Sequence, residues 1–286
     1  MPLLLALLLS VVPQNVVLLK GPVPAASDSV TPVPEQGSVG KGRYRNAYFH
    51  LSYPIPAGWT EQPAGPPPSD AGAYALTQLA LIDPDQRVRA HMLVTAQDLF
   101  FSLIDMAGAK EHVAWMHRGL EPVYQLEGEP DQVTLAGRTF HRLRYRAPRS
   151  GLHWRVLSTD MRCHALTFTL TGTDVAALDA AENAMRGMSL EAKNAPVCVS
   201  DSVAVKKTEP LFPTHHFNTI PVRVIVGRDG KVRHVHPLSA FPEQSKAIIE
   251  ALRAWRFKPY EMEGKAVDFE TGIVFGMPPA TLRAVK

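Results

Sequence analysis

Alternation of apolar and other side chains at every second position is the feature that most constrains the fold of this chain. Three segments show it most clearly: 49–53, 88–94 and 164–170. Because successive side chains of a strand point to opposite faces, this spacing predicts strands with one buried face. Turn residues at Gly137-Arg138 and Ser150-Gly151 separate further extended runs and are typical of hairpins. We therefore predict mostly antiparallel sheets.

Helical spacing occurs in two stretches, residues 105–118 and 174–188. In the second, Asp174 is a typical capping residue. One face of that stretch then carries an apolar stripe of Val175, Leu178, Ala181 and Met185. Strands and helices in separate blocks predict an α+β domain over residues 44–190.

Three motifs within this region are typical of one fold group. They are Phe49-x-Leu51-x-Tyr53-Pro54-x-Pro56-x-Gly58-Trp59, a Gly137-x-x-Phe140 hairpin, and a closing helix that ends near Met188-Ser189-Leu190. Together they resemble the PsbP/Mog1-like α+β sandwich. Members of that fold group act mostly as binding or assembly modules, so the resemblance implies binding and adds little about chemistry.

Length and composition narrow the class of protein. The 286 residues and 45% hydrophobic content are enough for two domains with a core each. With 20% charged residues and a net charge of +3, neither a disordered polyelectrolyte nor a dedicated nucleic-acid binder is indicated. Two cysteines exclude a disulfide-dense scaffold.

The first 26 residues have the composition of an export signal or a membrane anchor. An apolar run at 3–12 is too short to span a bilayer alone, and Ala25 and Ala26 suit cleavage. Without cleavage, residues 3–19 would remain as a single span. Residues 27–43 have linker composition. We expect a periplasmic or secreted protein, with a form anchored in the inner membrane and facing the periplasm as the alternative.

The second domain, residues 197–277, is predicted to have the order β-β-α-β. A β-rich run at 220–226 and another at 231–238 flank the tight turn at 227–230. Phe241-Pro242 then opens a helix with apolar residues at helical spacing, which we expect Pro259 to end. Residues 267–275 supply the third strand.

The motifs of this second region resemble the C-terminal domain of TonB over about eighty residues. They are Gly227-x-Asp229-Gly230-x-Val232, Ser239-x-x-Pro242, Ala251-x-x-x-Trp255-Arg256-Phe257-Lys258-Pro259-Tyr260 and Gly264-x-x-Val267. The signature residues also have local roles. Gly230 suits a turn position with positive φ, and Trp255 fills the groove between helix and sheet. These residues can therefore specify the fold without contacting a partner protein.

The TonB resemblance implies strand addition by an extended partner, such as a segment of an outer-membrane receptor. The partner would lie beside the last strand, at Val267, Asp268, Phe269, Glu270, Thr271, Gly272 and Ile273. Two alternatives are that the first domain covers this edge or that a second copy pairs with it in a homodimer. At the level of function, a TonB-type energy transducer and a purely structural second domain also remain open.

No catalytic constellation emerges from the sequence, so we expect neither an enzyme nor a cofactor. His112 and His117 are five apart and lie on different sides of a helix. Cys163 and His164 are neighbours on a strand and point to opposite faces. Four imidazoles, those of His215, His216, His234 and His236, have spacing that permits a metal site, but exposed histidines are the favoured interpretation.

Cys163 and Cys198 are the only cysteines, and export places them in an oxidising compartment. A disulfide between them would fasten the connector between the domains to the first sheet. Two unpaired thiols, one of them buried, are the alternative.

Overall fold

The computed structural model describes residues 23–63, 65–191, 195–212 and 218–276. Within them the chain is an α+β protein, as the sequence predicts. The first unit contains β1 (Gly37–Gly40), β2 (Arg43–Asn46), β3 (Leu51–Pro54), β4 (Trp59–Glu61), β5 (Ala73–Ile82), β6 (Val88–Asp98), α1 (Ala109–Arg118), β7 (Gln125–Leu126), β8 (Asp131–Leu135), β9 (Arg138–Ala147), β10 (Leu152–Met161), β11 (His164–Gly172), α2 (Val175–Ala184) and β12 (Ser189–Leu190). The second unit contains β13 (Val197–Cys198), β14 (Ala204–Lys206), β15 (Ile220–Val226), β16 (Val232–Pro237), α3 (Pro242–Ala254), β17 (Arg256–Phe257), β18 (Tyr260–Met262), β19 (Lys265–Val267) and β20 (Phe269–Phe275).

The first unit is built from two antiparallel sheets. The larger has the strand order β4-β5-β6-β11-β10-β9-β7, with β8 also paired to β9, and the smaller has the order β1-β2-β3-β12. Helix α2 begins as predicted, because the Asp174 carboxylate accepts the backbone N–H of Ala177 at 3.0 Å. The helical prediction for 105–118 is correct from Ala109 onward.

Residues 27–43, for which we predict a linker, contain ordered structure. Strand β1 pairs with β2 across a turn in which Gly42 has a φ of +67°. Val33 is buried against the folded body. The composition misleads here because a segment held by backbone hydrogen bonds needs no apolar alternation.

The second unit is organised around a sheet with the order β13-β20-β15-β16, which we call the C-terminal sheet. Its strands are antiparallel apart from β13, which runs parallel to β20. Helix α3 covers one face and shares a core with Val222, Val224 and Trp255. The opposite face lies against the first unit, and Leu238, which follows β16, joins the core of that unit.

The predicted β-β-α-β order holds for β15, β16, α3 and β20, but two boundaries are wrong. Val267 ends β19 of a small hairpin, and the last strand begins at Phe269. Helix α3 ends at Ala254, because Trp255 is already extended with a ψ of 154°, so Pro259 does not end it. None of the helices in the described ranges is long and apolar enough to cross a membrane.

Candidate functional site

The outer edge of β16 is paired with residues Val23–Ser27, which we call the docked segment. The backbone N–H groups of Val23, Ala25 and Ser27 donate to the carbonyls of Ala240, Pro237 and Val235, at 3.0, 2.9 and 2.8 Å. The N–H of Ala240 donates back to Val23 at 3.4 Å. The segment therefore runs antiparallel along the edge of the C-terminal sheet, with a β-bridge at Val23 and further backbone hydrogen bonds at Ala25 and Ser27.

Side chains complete this pairing where β16 lacks a backbone donor. Pro237 has no N–H, and Nδ1 of His236 contacts the carbonyl oxygen of Ala25 instead. Arg253 of α3 donates to the carbonyl of Ser27 at 2.8 Å. The Ser27 hydroxyl accepts the N–H of Val235 at 3.0 Å. The edge thus binds an extended segment mainly through its backbone atoms.

A groove runs between the docked segment and α3. Its volume is about 430 Å³, and it is lined by Val23, Ala25, Ala26, Lys246, Ile249 and Arg253 among others. Because the groove is open to solvent beside the paired backbone, side chains of a bound strand have room on this side.

The histidines predicted as exposed metal candidates flank the same edge, and their exposure is predicted wrongly. His234 and His236 are 4% and 2% exposed because the segment between the docked segment and β1 covers them. The carboxylate of Asp28 lies 2.7 Å from Nδ1 of His234, and that of Glu35 lies 3.2 Å from Nε2 of His236.

Electrostatics fix the protonation of the first of these pairs. Burial lowers the pKa of His234 below its ordinary value, and Asp28 offsets part of that effect. Burial alone would raise the pKa of Asp28, but hydrogen bonds from His234, Thr31 and Val30 hold it below its ordinary range. At neutral pH a neutral His234 therefore donates from Nδ1 to an ionised Asp28.

His215 and His216 lie outside the described residues. Among the described ones, the structure brings together no group of three or more His, Cys, Asp or Glu side chains that could hold a metal ion. A metal site at these histidines therefore gains no support from the part of the chain that the structure describes.

Residues 267–273, predicted to bind a partner protein along an open edge, pair with several segments of this same chain. Val197 and Val199 donate to the carbonyls of Asp268 and Glu270 at 3.0 and 2.9 Å, so the prediction of an open edge is wrong at this end. Val267 pairs with Tyr260 in the β18–β19 hairpin. The physical reason is that the connector from the first unit lies along the start of β20.

The other half of that predicted site is packed against its surroundings. Thr271 is buried, and its hydroxyl lies 2.8 Å from that of Ser202. Gly272 lies beneath the first unit, where an added Cβ would come within 2.6 Å of the Phe100 Cβ. In the β-ladder, Thr271, Gly272 and Ile273 pair with β15. A partner-binding role for these residues stays a prediction.

The residues on which the predicted resemblance to TonB depends have structural roles here. Gly230 has a φ of +74°, and an added Cβ would lie 2.1 Å from the Phe257 oxygen. Trp255 and Phe257 are buried beside α3. The indole N–H of Trp255 donates to Thr208 at 2.8 Å. Tyr260 is partly exposed over Phe269, and Pro259 borders the turn at Gly230.

A network of buried charges joins the two units on the inner face of the C-terminal sheet. Arg223 of β15 binds the carboxylates of Asp98 and Glu270, and Arg162 also binds Glu270. The hydroxyl of Tyr48 donates to Glu270 at 2.9 Å. Two cations and two carboxylates therefore neutralise one another away from water.

Burial dominates the titration of this network. It raises the pKa of Asp98, which Arg223 opposes, and it raises the pKa of Tyr48. It lowers the pKa of His164 well below its ordinary value, and the Arg223 cation adds to that effect. The ion pairs of Arg223 with Asp98 and of both arginines with Glu270 therefore fix the two units together.

Cys163 and Cys198 form a disulfide, which settles the alternative left open by the sequence. Their Cα atoms are 5.7 Å apart, across 35 residues of chain. The bond ties β13 to the turn between β10 and β11. Arg162 lies in the same turn, so the disulfide and the buried charges fasten the same place.

Comparisons with known proteins leave the function to be argued from this chain. No protein-family model and no curated protein matches it. A solved structure of PsbP from Synechocystis sp. PCC 6803 is 18% identical, covering 55% of this chain and 97% of its own, with a TM-score of 0.34. LpqN of Mycobacterium tuberculosis, described as involved in cell envelope biogenesis, is 14% identical, covering 58% and 90%, with a TM-score of 0.30. Scores this low carry no functional argument.

Proposed function

We propose that this chain is a non-enzymatic protein of the cell envelope that binds an extended segment of a protein partner by strand addition. The acceptor is the outer edge of β16 instead of the last strand that the sequence favours. One observation carries this proposal: an extended segment, Val23–Ser27, is bonded to that edge through backbone groups.

Two properties of the β16 edge support this role. The carbonyls of Val235, Pro237 and Ala240 accept hydrogen bonds from any residue except proline, which makes the edge tolerant of sequence. The polar groups His236 and Arg253 hold the carbonyls of the bound strand and fix its register. The adjoining groove leaves room for side chains of the partner.

Site-specific photocrosslinking in the envelope tests the proposal. A photoreactive residue at Lys246, beside the groove, should crosslink to one extended stretch of one partner, identified by peptide mass spectrometry. The matched control is Val274 of β20, which is 50% exposed. Crosslinks from Val274 and none from Lys246 would move the acceptor back to the last strand. Crosslinks at neither position would contradict strand addition.

A structural role for the second unit is the second candidate, because the buried charges and the disulfide join the units. It predicts that residues 23–191 and 195–276 do not fold when expressed apart. If each half shows a cooperative thermal transition and native chemical shifts, this candidate is excluded.

A further inference from the structure

The docked segment contains the processing site that the sequence predicts. Three of its four backbone hydrogen bonds involve Val23 or Ala25, and the fourth involves Ser27. Hydrolysis of the Ala25–Ala26 peptide bond by a leader peptidase would add one water, leaving a carboxylate on Ala25 and an ammonium on Ala26. Residues up to Ala25 would then be held by non-covalent contacts alone.

Loss of that product would expose a defined set of groups on the edge. The carbonyls of Pro237 and Ala240 and the N–H of Ala240 would need new partners, since unpaired backbone groups are costly away from water. Nδ1 of His236, which now contacts the Ala25 oxygen, would face the vacated end. The Glu35 carboxylate lies 3.2 Å from Nε2 on the other side of the same ring.

We infer that the processed chain binds the C-terminal end of a partner protein, whose last residue takes the place of Ala25. This inference rests on the proposed function and names its ligand. The last residue donates its N–H to Pro237, and its carboxylate faces His236 and the new ammonium of Ala26. Charge-assisted bonds of this kind are stronger than those of a mid-chain carbonyl.

The docked segment also indicates which C-termini fit. The N–H groups at the places of Val23 and Ala25 are used, so proline is excluded there, whereas Pro24 shows that proline is accepted between them. Ala25 is half-buried, which favours a small last residue, and Val23 is 45% exposed, which tolerates variety. The ligand class is therefore a C-terminal segment of the type x-Pro-Ala with a free carboxylate.

The exported protein is the material for the test, after its N-terminal residue has been determined. Calorimetry would measure binding of a peptide with the sequence of residues 20–25, as the free acid and as the C-terminal amide. We expect the acid to bind at least about tenfold more tightly than the amide. Replacing the last alanine of the peptide by proline should abolish binding. A chain that begins at Gly21 should not bind, because its own segment fills the site.

A His236→Asn variant of the processed chain removes the ring nitrogen that faces the terminal carboxylate and leaves a smaller amide in its place. It should bind acid and amide more nearly alike, while an unchanged melting temperature shows that it folds. Equal binding of acid and amide by the unaltered chain would overturn the C-terminal inference and leave strand addition standing. An exported protein that begins at or before Val23 would overturn it as well. If no peptide binds although the amides of 235–240 exchange rapidly with solvent, the proposed function itself is wrong.

Discussion

The two outer edges of the C-terminal sheet are both covered by the chain, but by different means. On the β20 side, β13 is covalently fixed by the disulfide at Cys198, next to the buried carboxylate of Glu270. On the β16 side, the docked segment is held by hydrogen bonds and by the contact of Asp28 with His234. Two sheet edges that are both covered by the chain can therefore differ in how firmly the covering segment is held. The β20 edge is held through a covalent bond, whereas the β16 edge is held through non-covalent contacts.

The largest expected effect concerns the anchoring of the β20 side. Arg223→Ala leaves Asp98 and Glu270 buried with their shared cation removed, and we expect the free energy of unfolding to fall by about 3–5 kcal/mol. Denaturant titration measures it. Arg228→Ala, at a side chain 73% exposed, should change stability by less than about 0.5 kcal/mol. Similar losses for both would show that the network does not fix the units together.

Removal of the disulfide should have the second-largest effect on stability. Cys163→Ala with Cys198→Ala should lower the free energy of unfolding by about 3–4 kcal/mol, because the bond closes a loop of 35 residues in the unfolded chain. Hydrogen exchange should accelerate at the N–H groups of Val197 and Val199, and remain unchanged at Val235 on the other edge. Acceleration at both edges would mean that they open as one unit.

Much of the fold could be predicted from the sequence, since side-chain periodicity and the Asp174 cap report local burial directly. The covering segments could not, because Val23–Ser27 and β13 are bound through backbone atoms that every residue carries. The burial of Arg223 could not be predicted for another reason. A charge on a strand suggests a solvent face, yet the nearly continuous apolar run of β15 is a signal of burial on both faces.

Lowering the pH should reduce the folding stability through a histidine on the β20 side. His164 is buried among Asp98, Arg223, Arg162, Tyr48 and Tyr74, and burial is the main cause that lowers its pKa. The unfolded chain therefore takes up a proton near pH 6.5 that the folded chain refuses. Stability is retained above that pH and falls below it, by up to about 1.4 kcal/mol per pH unit.

Variants separate this contribution from that of His234, whose pKa is also lowered. His164→Gln should flatten the decline of stability between pH 6.5 and 5. His50→Asn is the control, since this histidine is exposed and asparagine tolerates its φ of +48°. An unchanged slope in His164→Gln would assign the acid sensitivity to the other histidines whose pKa burial lowers, His91, His112 and His234.

The smallest effect tests whether the β16 edge opens independently. In the unprocessed chain, Ser27→Pro removes the N–H bonded to Val235 and the hydroxyl that accepts from it. Two lost hydrogen bonds should reduce the free energy of local opening at Val235 by about 1–2 kcal/mol, seen as faster amide exchange. Ser29→Pro is a matched control at an exposed position beyond the docked segment. Because the docked segment carries no covalent cross-link to β16, amide exchange on the β20 side should stay unchanged in Ser27→Pro. If exchange accelerates there too, the two edges open as one cooperative unit, and the β16 edge is not a separate binding site.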